Sequence, residues 1–412
     1  MWRLISLVTL LCVCSSFGQQ PVETTTPPYS LELHEGLSQS IGNFSVEILY
    51  HTAVSSLMAN KNLVISPLTM WIALAVTNEG ADGRTSKQIK DAIRSPIKKD
   101  EFGKIARWLK VNGSTVELQN INTIFVDVKN LMERDFRDVA LRYYETQVNA
   151  LDFQDKVGTA NTINKRVSDI TRGRIPKLVD SADFEQAQML LISALYFKGQ
   201  WTSPFNATQT APRPFFDSNG KTIGTVNMMY NRYTYPFANI RELEARVIEL
   251  PYGKENRLSM LIMLPNPNVS LENMFLKFAT VPLDKVFQEL RISQSEYSDD
   301  EVDCFIPRFK IESDLVLNSA LNNMGIYDMF NPAKARLPKV SRVPVYVSKV
   351  IHKAEIEVNE EGTTASAVTA IEFANRIGII RFEANRPFLY MIIEKVTNSI
   401  VFGGVYRQPS LY

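Results

Sequence analysis

The sequence predicts one large domain of mixed α/β class, on three observations. The period of the apolar positions changes along the chain, from the i, i+3, i+7 spacing of Ile41, Phe44 and Ile48 to short runs of strand formers, and no segment repeats. Strand runs directly into helix at Asn62-Leu63-Val64-Ile65-Ser66-Pro67, because Ser66 is a good N-cap and Pro67 suits the first helical position. With 45% hydrophobic and 22% charged residues the composition is that of an ordinary globular protein, well outside the disordered class. Its 412 residues would make two or three average domains, yet several sheets that share one core reach this size as one.

Residues 1–18 read as a secretory signal, since Arg3 precedes the apolar run Leu4 to Cys14 and the small Ser16 and Gly18 frame a cleavage site. The run is too short to anchor the chain across a bilayer. Residues 19–34, with three consecutive Thr and Pro27-Pro28, form a polar tail without periodicity, expected to be disordered and open to O-glycosylation. The domain is expected over 35–412, secreted and extracellular. Losing the signal removes Arg3, Cys12 and Cys14, which balances basic and acidic residues at 44 each and leaves Cys304 as the only thiol. No intrachain disulfide is then available, and Cys304, close to Val302 and Phe305, reads as buried rather than reactive. The charge balance gives no global field for nucleic acid or a membrane, so any polyanion site must be local.

Further along, Gly80 can stop the helix that Ser66 begins, and Thr85-Ser86-Lys87-Gln88 has the spacing of a capping box, which places the next helix start at Thr85. Asn43, Asn112, Asn206 and Asn268 are N-glycosylation sequons, with Asn43 inside the first helix. Glu296, Asp299, Asp300, Glu301 and Asp303 surround Tyr297 in an expected exposed loop. Acid on both sides of a secreted tyrosine suits sulfation, although a plain acidic loop needs no modification. There is no metal-ligand spacing and no phosphate-binding glycine loop, so no metal or cofactor is expected.

The stretch from Glu360 to Pro387 fits an ordinary domain poorly. It opens with Glu360, Glu361 and Gly362 and runs through small residues that a strand tolerates. At a strand's period of two, Thr363, Ala365, Ala367, Thr369, Ile371 and Phe373 form a face without charge, and Thr364, Ser366, Val368, Ala370 and Glu372 form the other. The segment is competent to be a central strand, yet Arg376 and Gly378 sit at its end. On the residues alone, a hairpin strand and its turn account for it.

Val358-Asn359-Glu360-Glu361-Gly362-Thr363-Thr364-Ala365-Ser366-Ala367, followed by Phe382-Glu383-Ala384-Asn385-Arg386-Pro387-Phe388, resembles the hinge and distal end of a serpin reactive loop. Other segments are similar to serpin landmarks in the same order. They are Asn62-x-x-x-Ser66-Pro67 with Gly80-Ala81-x-Gly83-x-Thr85, Ile163-Asn164 with Thr171-x-Gly173-x-Ile175, and Ala194-Leu195-Tyr196-Phe197-Lys198-Gly199-x-Trp201. Glu249-Leu250-Pro251-Tyr252, Pro307-Arg308-Phe309-Lys310, Met324-Gly325-Ile326 and Phe402-Gly403-Gly404-Val405 complete the series.

The resemblance, over about residues 35–409, implies the serpin fold: three β-sheets, a helical cap and an exposed reactive-centre loop, about 360–381, that can insert into the largest sheet. It also implies roles. Glu360, Glu361, Gly362, Thr363, Thr364, Ala365, Ser366 and Ala367 would be the hinge. In the family the residue attacked by the target protease lies fourteen positions after the hinge glycine, which is Arg376 here, so the scissile bond would be Arg376–Ile377. Trp201 would mark the insertion point, and Ser66, Thr69, Ser193 and His352 would form a polar cluster that lets the sheet open. Two departures stand out. Arg166 occupies a position usually held by Trp, and Ser193 one where Asn is expected, which predicts a weaker or water-bridged network around His352. Lys98, Lys99, Lys104, Arg107 and Lys110 stand where members that bind sulfated polysaccharides carry basic residues, although Asp100 and Glu101 interrupt the run as on a solvated helix face.

The function implied is that of a secreted, monomeric suicide-substrate inhibitor of a trypsin-like serine protease, not an enzyme. Cleavage after Arg376 would free Glu360–Arg376 to enter the sheet as an extra strand, and the charge-free face permits that entry. Phe373 is the alternative bait, suited to an apolar pocket. The alternative function is a non-inhibitory serpin acting as carrier or signalling ligand, but such relatives tend to carry proline, charge or bulk in the hinge, and this hinge carries none on its inserting face. A Ser/His hydrolase needs an acidic partner and a nucleophile turn. No Gly-x-Ser-x-Gly occurs, and the only histidines are His34, His51 and His352.

Overall fold

Apart from Ser193, the run from Met189 to Phe197 is apolar on both faces of a strand, and the structure buries both. In the computed structural model, which describes residues 36–55, 58, 60–95, 98–108, 111–112, 115–361 and 379–412, this run is the centre of a six-stranded sheet. There β5 (Met189–Gly199) lies between β3 (Val116–Asp127), antiparallel to it, and β13 (Lys349–Val358), parallel to it. Strand β12 (Phe309–Val316) flanks β13, while β2 (Val111–Asn112) and β4 (Gln147–Leu151) both pair with β3. Leu191, Leu195 and Phe197 of β5 enter the main core, and Leu190, Ile192 and Ala194 enter a second core beneath α6 (Lys156–Ile170). That alternation is the two-residue period of a strand with no solvent face, which explains the continuous apolar run. Helix α6 contributes Ala160, Ile163 and Val167 to the second core, a single helical stripe. Asn164 on α6 fastens the helix to the chain that follows, since its Oδ1 accepts from the Leu178 N–H at 2.7 Å and the Val179 N–H at 3.0 Å.

A second six-stranded sheet is antiparallel throughout. Its order is β1 (Leu63–Ile65), β16 (Ser399–Tyr406), β15 (Phe388–Glu394), β10 (Leu258–Pro265), β9 (Ala245–Tyr252) and β8 (Phe237–Ile240). Strands β10, β15 and β16 are buried at every position. Gly404 is required there, because a Cβ would fall 2.0 Å from the Leu63 carbonyl oxygen on the neighbouring strand. The third sheet has the order β14 (Ile380–Glu383), β11 (Val302–Pro307), β7 (Thr222–Tyr233) and β6 (Ala211–Phe216). Three sheets with covering helices are the architecture that the sequence motifs imply.

Helix α1 (Leu37–Ala53) buries Ile41, Phe44 and Ile48 completely, as their spacing predicts. Helix α2 (Pro67–Gly80) starts at Ser66, whose Oγ accepts from the Thr69 N–H at 3.4 Å, and it is apolar on all sides because it runs through the main core. The capping box at Thr85 does not form. Helix α3 (Gly83–Ile93) starts two residues earlier, where Asp82 is held bidentately by Arg336 at 2.7 and 3.2 Å. The Thr85 hydroxyl instead accepts from the Arg336 N–H, and the Gln88 amide oxygen accepts from the Tyr327 and Asp328 N–H groups. Helices α4 (Lys99–Trp108), α5 (Arg134–Tyr144), α7 (Leu271–Lys277), α8 (Leu283–Glu296) and α9 (Asn318–Asn323) complete the helices among the described residues.

Candidate functional site

The chain leaves the first sheet at the end of β13 and enters the third sheet at β14, so the segment singled out in the sequence runs from one sheet to another. Gly362 to Gly378, with Arg376, Ile377 and the hinge residues Gly362, Thr363, Thr364, Ala365, Ser366 and Ala367, lie outside the described residues. What the structure gives is how both ends are held and what lies between the two strands that an inserting segment would part.

The near end is clasped. The Trp201 indole N–H donates to the Asn359 carbonyl at 2.8 Å, and the Phe205 N–H donates to the Glu360 carbonyl at 3.1 Å. The Glu360 carboxylate, only 7% exposed, accepts from the Thr210 hydroxyl at 2.6 Å and faces the Arg308 guanidinium at 3.4 Å. Trp201 is itself fixed, stacked on Tyr252 with centroids 4.4 Å apart and edge-on to Phe205. A carboxylate this buried is costly unless it is paired and hydrogen-bonded, so Arg308 and Thr210 fix Glu360 in place. Glu361, the next residue, is exposed. Sequence reasoning marked Trp201, Glu360 and Arg308 as landmarks but missed Thr210 and Phe205.

The far end is a strand. β14 pairs in parallel with β11, from Ile380 opposite Val302 to Glu383 opposite Phe305, and the Ala384 N–H extends the ladder to the Phe305 carbonyl at 2.9 Å. Phe382 is fully buried, and Arg381 bonds Glu383 at 2.8 Å while lying 4.5 Å over the Phe305 ring.

Between these ends, β5 and β13 pair directly with each other, from Leu190 opposite Lys349 to Tyr196 opposite Glu355. Beyond that rung they separate. β5 stays bonded to β3 as far as Gly199, and β13 stays bonded to β12 as far as Val358, but the two strands no longer pair with one another. The first sheet is therefore split at the end next to the clasp. An extended segment entering there could pair with both strands by continuing the split downward.

Beneath the paired stretch lies the polar cluster. The Ser66 N–H donates to His352 Nε2 at 2.9 Å, and the Ser66 hydroxyl donates to the Val401 carbonyl at 2.8 Å. The Ser193 hydroxyl donates to the Thr69 hydroxyl at 2.7 Å, and the Thr69 hydroxyl donates to the Ser66 carbonyl at 3.1 Å. All four residues come together and all are buried. Ser193 stands beside His352 in the strand register, and its hydroxyl bonds Thr69. His352 Nδ1 has no hydrogen-bond partner among the described residues, and neither has Oδ1 of Asn122, which lies opposite Ser193 on β3. Asn122 escapes a reading of the sequence because only the register of β3 brings it to this row. His352 Nε2 is taken by a backbone N–H, and among the described residues no carboxylate bonds the ring.

Burial pushes the His352 imidazole from its ordinary 6.5 down to about 3. The group is neutral in the folded chain and its protonation opposes folding, so its contribution is complete above pH 6.5 and is lost as pH falls from 6.5 towards 3. The loss approaches about 1.4 kcal/mol per pH unit. From pH 7.5 to 5 the wild-type denaturation midpoint should therefore fall by the equivalent of about 2 kcal/mol more than that of His352→Asn. Parallel curves for the two proteins would show that His352 does not carry this dependence.

The other residues marked in the sequence fall on the surface or in the core. Asn43 and Asn268 are exposed, so the helix does not hide the Asn43 sequon. Asn206 is half-buried, and its side chain bonds the N–H and hydroxyl of Thr208 in its own sequon. Asn112 is on β2, and nothing is described of its side chain. Lys98, Lys99, Lys104 and Arg107 are exposed at and along α4, with Arg107 paired to Glu145 at 3.1 Å and Lys99 4.9 Å from the centre of the Tyr143 ring. Lys110 lies outside the described residues. Tyr297 is 58% exposed at the end of α8, beside exposed Glu296, Asp299, Asp300 and Glu301, whereas Asp303 turns inward to Arg232 and Tyr230. Cys304 is fully buried, and burial raises its thiol well above the ordinary range, which makes it inert.

Comparison with known proteins agrees with this geometry. The family model for serpins, serine protease inhibitors, matches residues 39–409. The leukocyte elastase inhibitor of Xenopus laevis is 32% identical over 388 residues, which span 91% of this chain and 100% of that protein. Antithrombin-III of Mus musculus is 31% identical over 424 residues, 98% of this chain and 89% of that protein. Among solved structures, Manduca sexta serpin-12 aligns with a TM-score of 0.78 at 24% identity, over 90% of this chain and 99% of that one. Human thyroxine-binding globulin, solved in complex with thyroxine, aligns with a TM-score of 0.77 at 24% identity, over 91% of this chain and 98% of that one. With a family model that matches residues 39–409 and relatives more than 30% identical over nine-tenths of the chain or more, the chain belongs to the serpin family.

Proposed function

We propose that the protein is a secreted suicide-substrate inhibitor of a trypsin-like serine protease. The observation that carries this reading is the directly paired β5 and β13, already split beside the Glu360 clasp, with Glu360 held at that split and β14 held in the third sheet. The protease serine attacks the Arg376 carbonyl, the Ile377 amine leaves, and an ester joins Arg376 to the protease. The freed segment then enters the split and carries the bound enzyme along before the ester hydrolyses. Arg376 suits an acidic specificity pocket, and it is the only basic residue between Gly362 and Ile380. Inhibition is further supported by the inhibitory names of two relatives, the leukocyte elastase inhibitor and antithrombin-III. Secretion rests on the signal at 1–18, glycosylation on the sequons at Asn43, Asn112, Asn206 and Asn268, and a sulfated polysaccharide partner on the basic row from Lys98 to Lys110.

Incubation with trypsin tests the reading. A complex that survives SDS should form, and the peptide released from it should begin at Ile377. A peptide beginning at Ala374 would refute both the bond and the target class by placing the bait at Phe373. Arg376→Ala should reduce complex formation with trypsin-like enzymes at least about a hundredfold, since the acidic pocket loses its charged, hydrogen-bonded partner. If wild type gives no complex and its loop is merely cut or ignored, the protein acts as a carrier or ligand instead.

A further inference from the structure

Helix α1 has two faces with apolar residues. Ile41, Phe44 and Ile48 enter the main core, while Asn43, Val46, Glu47 and Tyr50, spaced i, i+3, i+4 and i+7, line a second face that stays open to solvent in part. Between this face and the end of α7 lies a groove of about 430 Å³, a volume within the range of ligand sites. Val46 and Tyr50 on one side and Leu276 and Phe278 on the other make its walls apolar, and Leu276 is 57% exposed. Arg94 stands at the rim, bonded to Glu47 at 3.0 Å. Asn43 belongs to the same lining, is exposed, and heads the sequon Asn43-Phe44-Ser45. Apolar surface gathered in one place marks a binding surface, and here a point of sugar attachment lies at its edge.

We propose that Asn43 carries an N-linked glycan whose first sugars lie in this groove and cover it. The attachment rests on the secretory reading above. The Asn43 amide nitrogen bonds to the anomeric carbon of a lipid-linked oligosaccharide, the lipid diphosphate leaves, and the nitrogen loses a proton. Ser45 of the sequon is fully buried in the folded helix, so attachment precedes the folding of α1. Sugar rings suit these walls, because their C–H faces stack on the rings of Tyr50 and Phe278 while their hydroxyls bond the charged pair at the rim. The covalent link holds the glycan at high local concentration, so weak contacts suffice to keep the groove filled. The other sequons lack this setting. Asn268 is exposed but has no place in the groove lining, and the Asn206 side chain is engaged by its own Thr208.

The full chain expressed in secreting mammalian cells tests this. Glycopeptide mass spectrometry should find Asn43 occupied. Peptide N-glycosidase should release the Asn43 glycan at least about tenfold more slowly from the native protein than from the unfolded one, because a packed glycan must first leave the groove. Leu276→Ser, a change at an exposed position, should restore most of that difference by removing part of one wall, and should leave release from the unfolded chain unchanged. A native rate within about threefold of the unfolded one, or one that Leu276→Ser does not alter, overturns the packing. Protection that grows with protein concentration overturns it too, by placing a second copy of the chain over the groove. Asn43 bare beside an occupied Asn206 or Asn268 overturns the glycan alone. A chain kept inside the cell with every sequon bare overturns the secretory reading and the glycan with it.

Discussion

Cutting the loop with a protease that the protein does not trap should raise the unfolding temperature by about a dozen degrees or more. In the intact protein β5 and β13 share only the seven residue pairs from Leu190–Lys349 to Tyr196–Glu355, and above them the facing edges of both strands are left over. A freed segment that enters as an antiparallel strand replaces this short parallel ladder with one on each side and buries its uncharged face against the main core. At roughly 0.5–1.5 kcal/mol net per backbone hydrogen bond, a strand of about a dozen residues adds about 10 kcal/mol beyond the ladder it displaces. With an unfolding entropy near 2.1 cal/mol/K per residue, a domain of this size has about 0.8 kcal/mol/K, which converts that gain to the stated rise. Calorimetry of intact and cut protein reads it directly. Equal transitions would mean that the loop does not insert, and the carrier reading would lead.

Local signals carried the parts of the fold that depend on local physics. The burial of Ile41, Phe44 and Ile48 and the helix start at Ser66-Pro67 were legible, because spacing and capping act over a few residues. The start of α3 was not. Thr85 and Gln88 have the separation of a capping box, but partners about 250 positions away claim both side chains, and Asp82 with Arg336 sets the helix start. The clasp divides in the same way. Glu360 and Trp201 could be marked from motifs, whereas Thr210, which bonds Glu360 across 150 positions, has no local signature. Register hides Asn122 as well, since it joins the row of Ser193 and His352 only through the pairing of β3 with β5. The acidic turn at Tyr297 and the Asn43 sequon were legible as patterns, and the structure adds their exposure.

On the inhibitory reading proposed above, Thr363→Arg should turn the protein into a substrate while leaving the intact fold unchanged. Residue 363 follows the clasp by three positions and lies on the face that carries no charge, so it is among the first side chains to pass into the split. The walls there are apolar, formed by Phe197 of β5 and by Ile356 and Val358 of β13, all buried in the main core. The nearest carboxylate in the clasp, Glu360, is already engaged by Arg308 and Thr210. An unpaired cation driven into such surroundings costs several kcal/mol, roughly 3–5 by analogy with broken buried pairs, and the cost falls at the first step of insertion. About 3 kcal/mol slows that step by roughly a hundredfold, which gives ester hydrolysis time to win. Titration with trypsin should then show the cut variant accumulating in place of the SDS-stable complex, with more than about ten molecules consumed per protease inactivated. Thr364→Arg is the matched control: at a strand's period of two it falls in the other set of residues, so it should leave trapping largely intact. Undiminished trapping by Thr363→Arg, or equal losses in the two variants, would show that the inserting face has been assigned to the wrong set of residues.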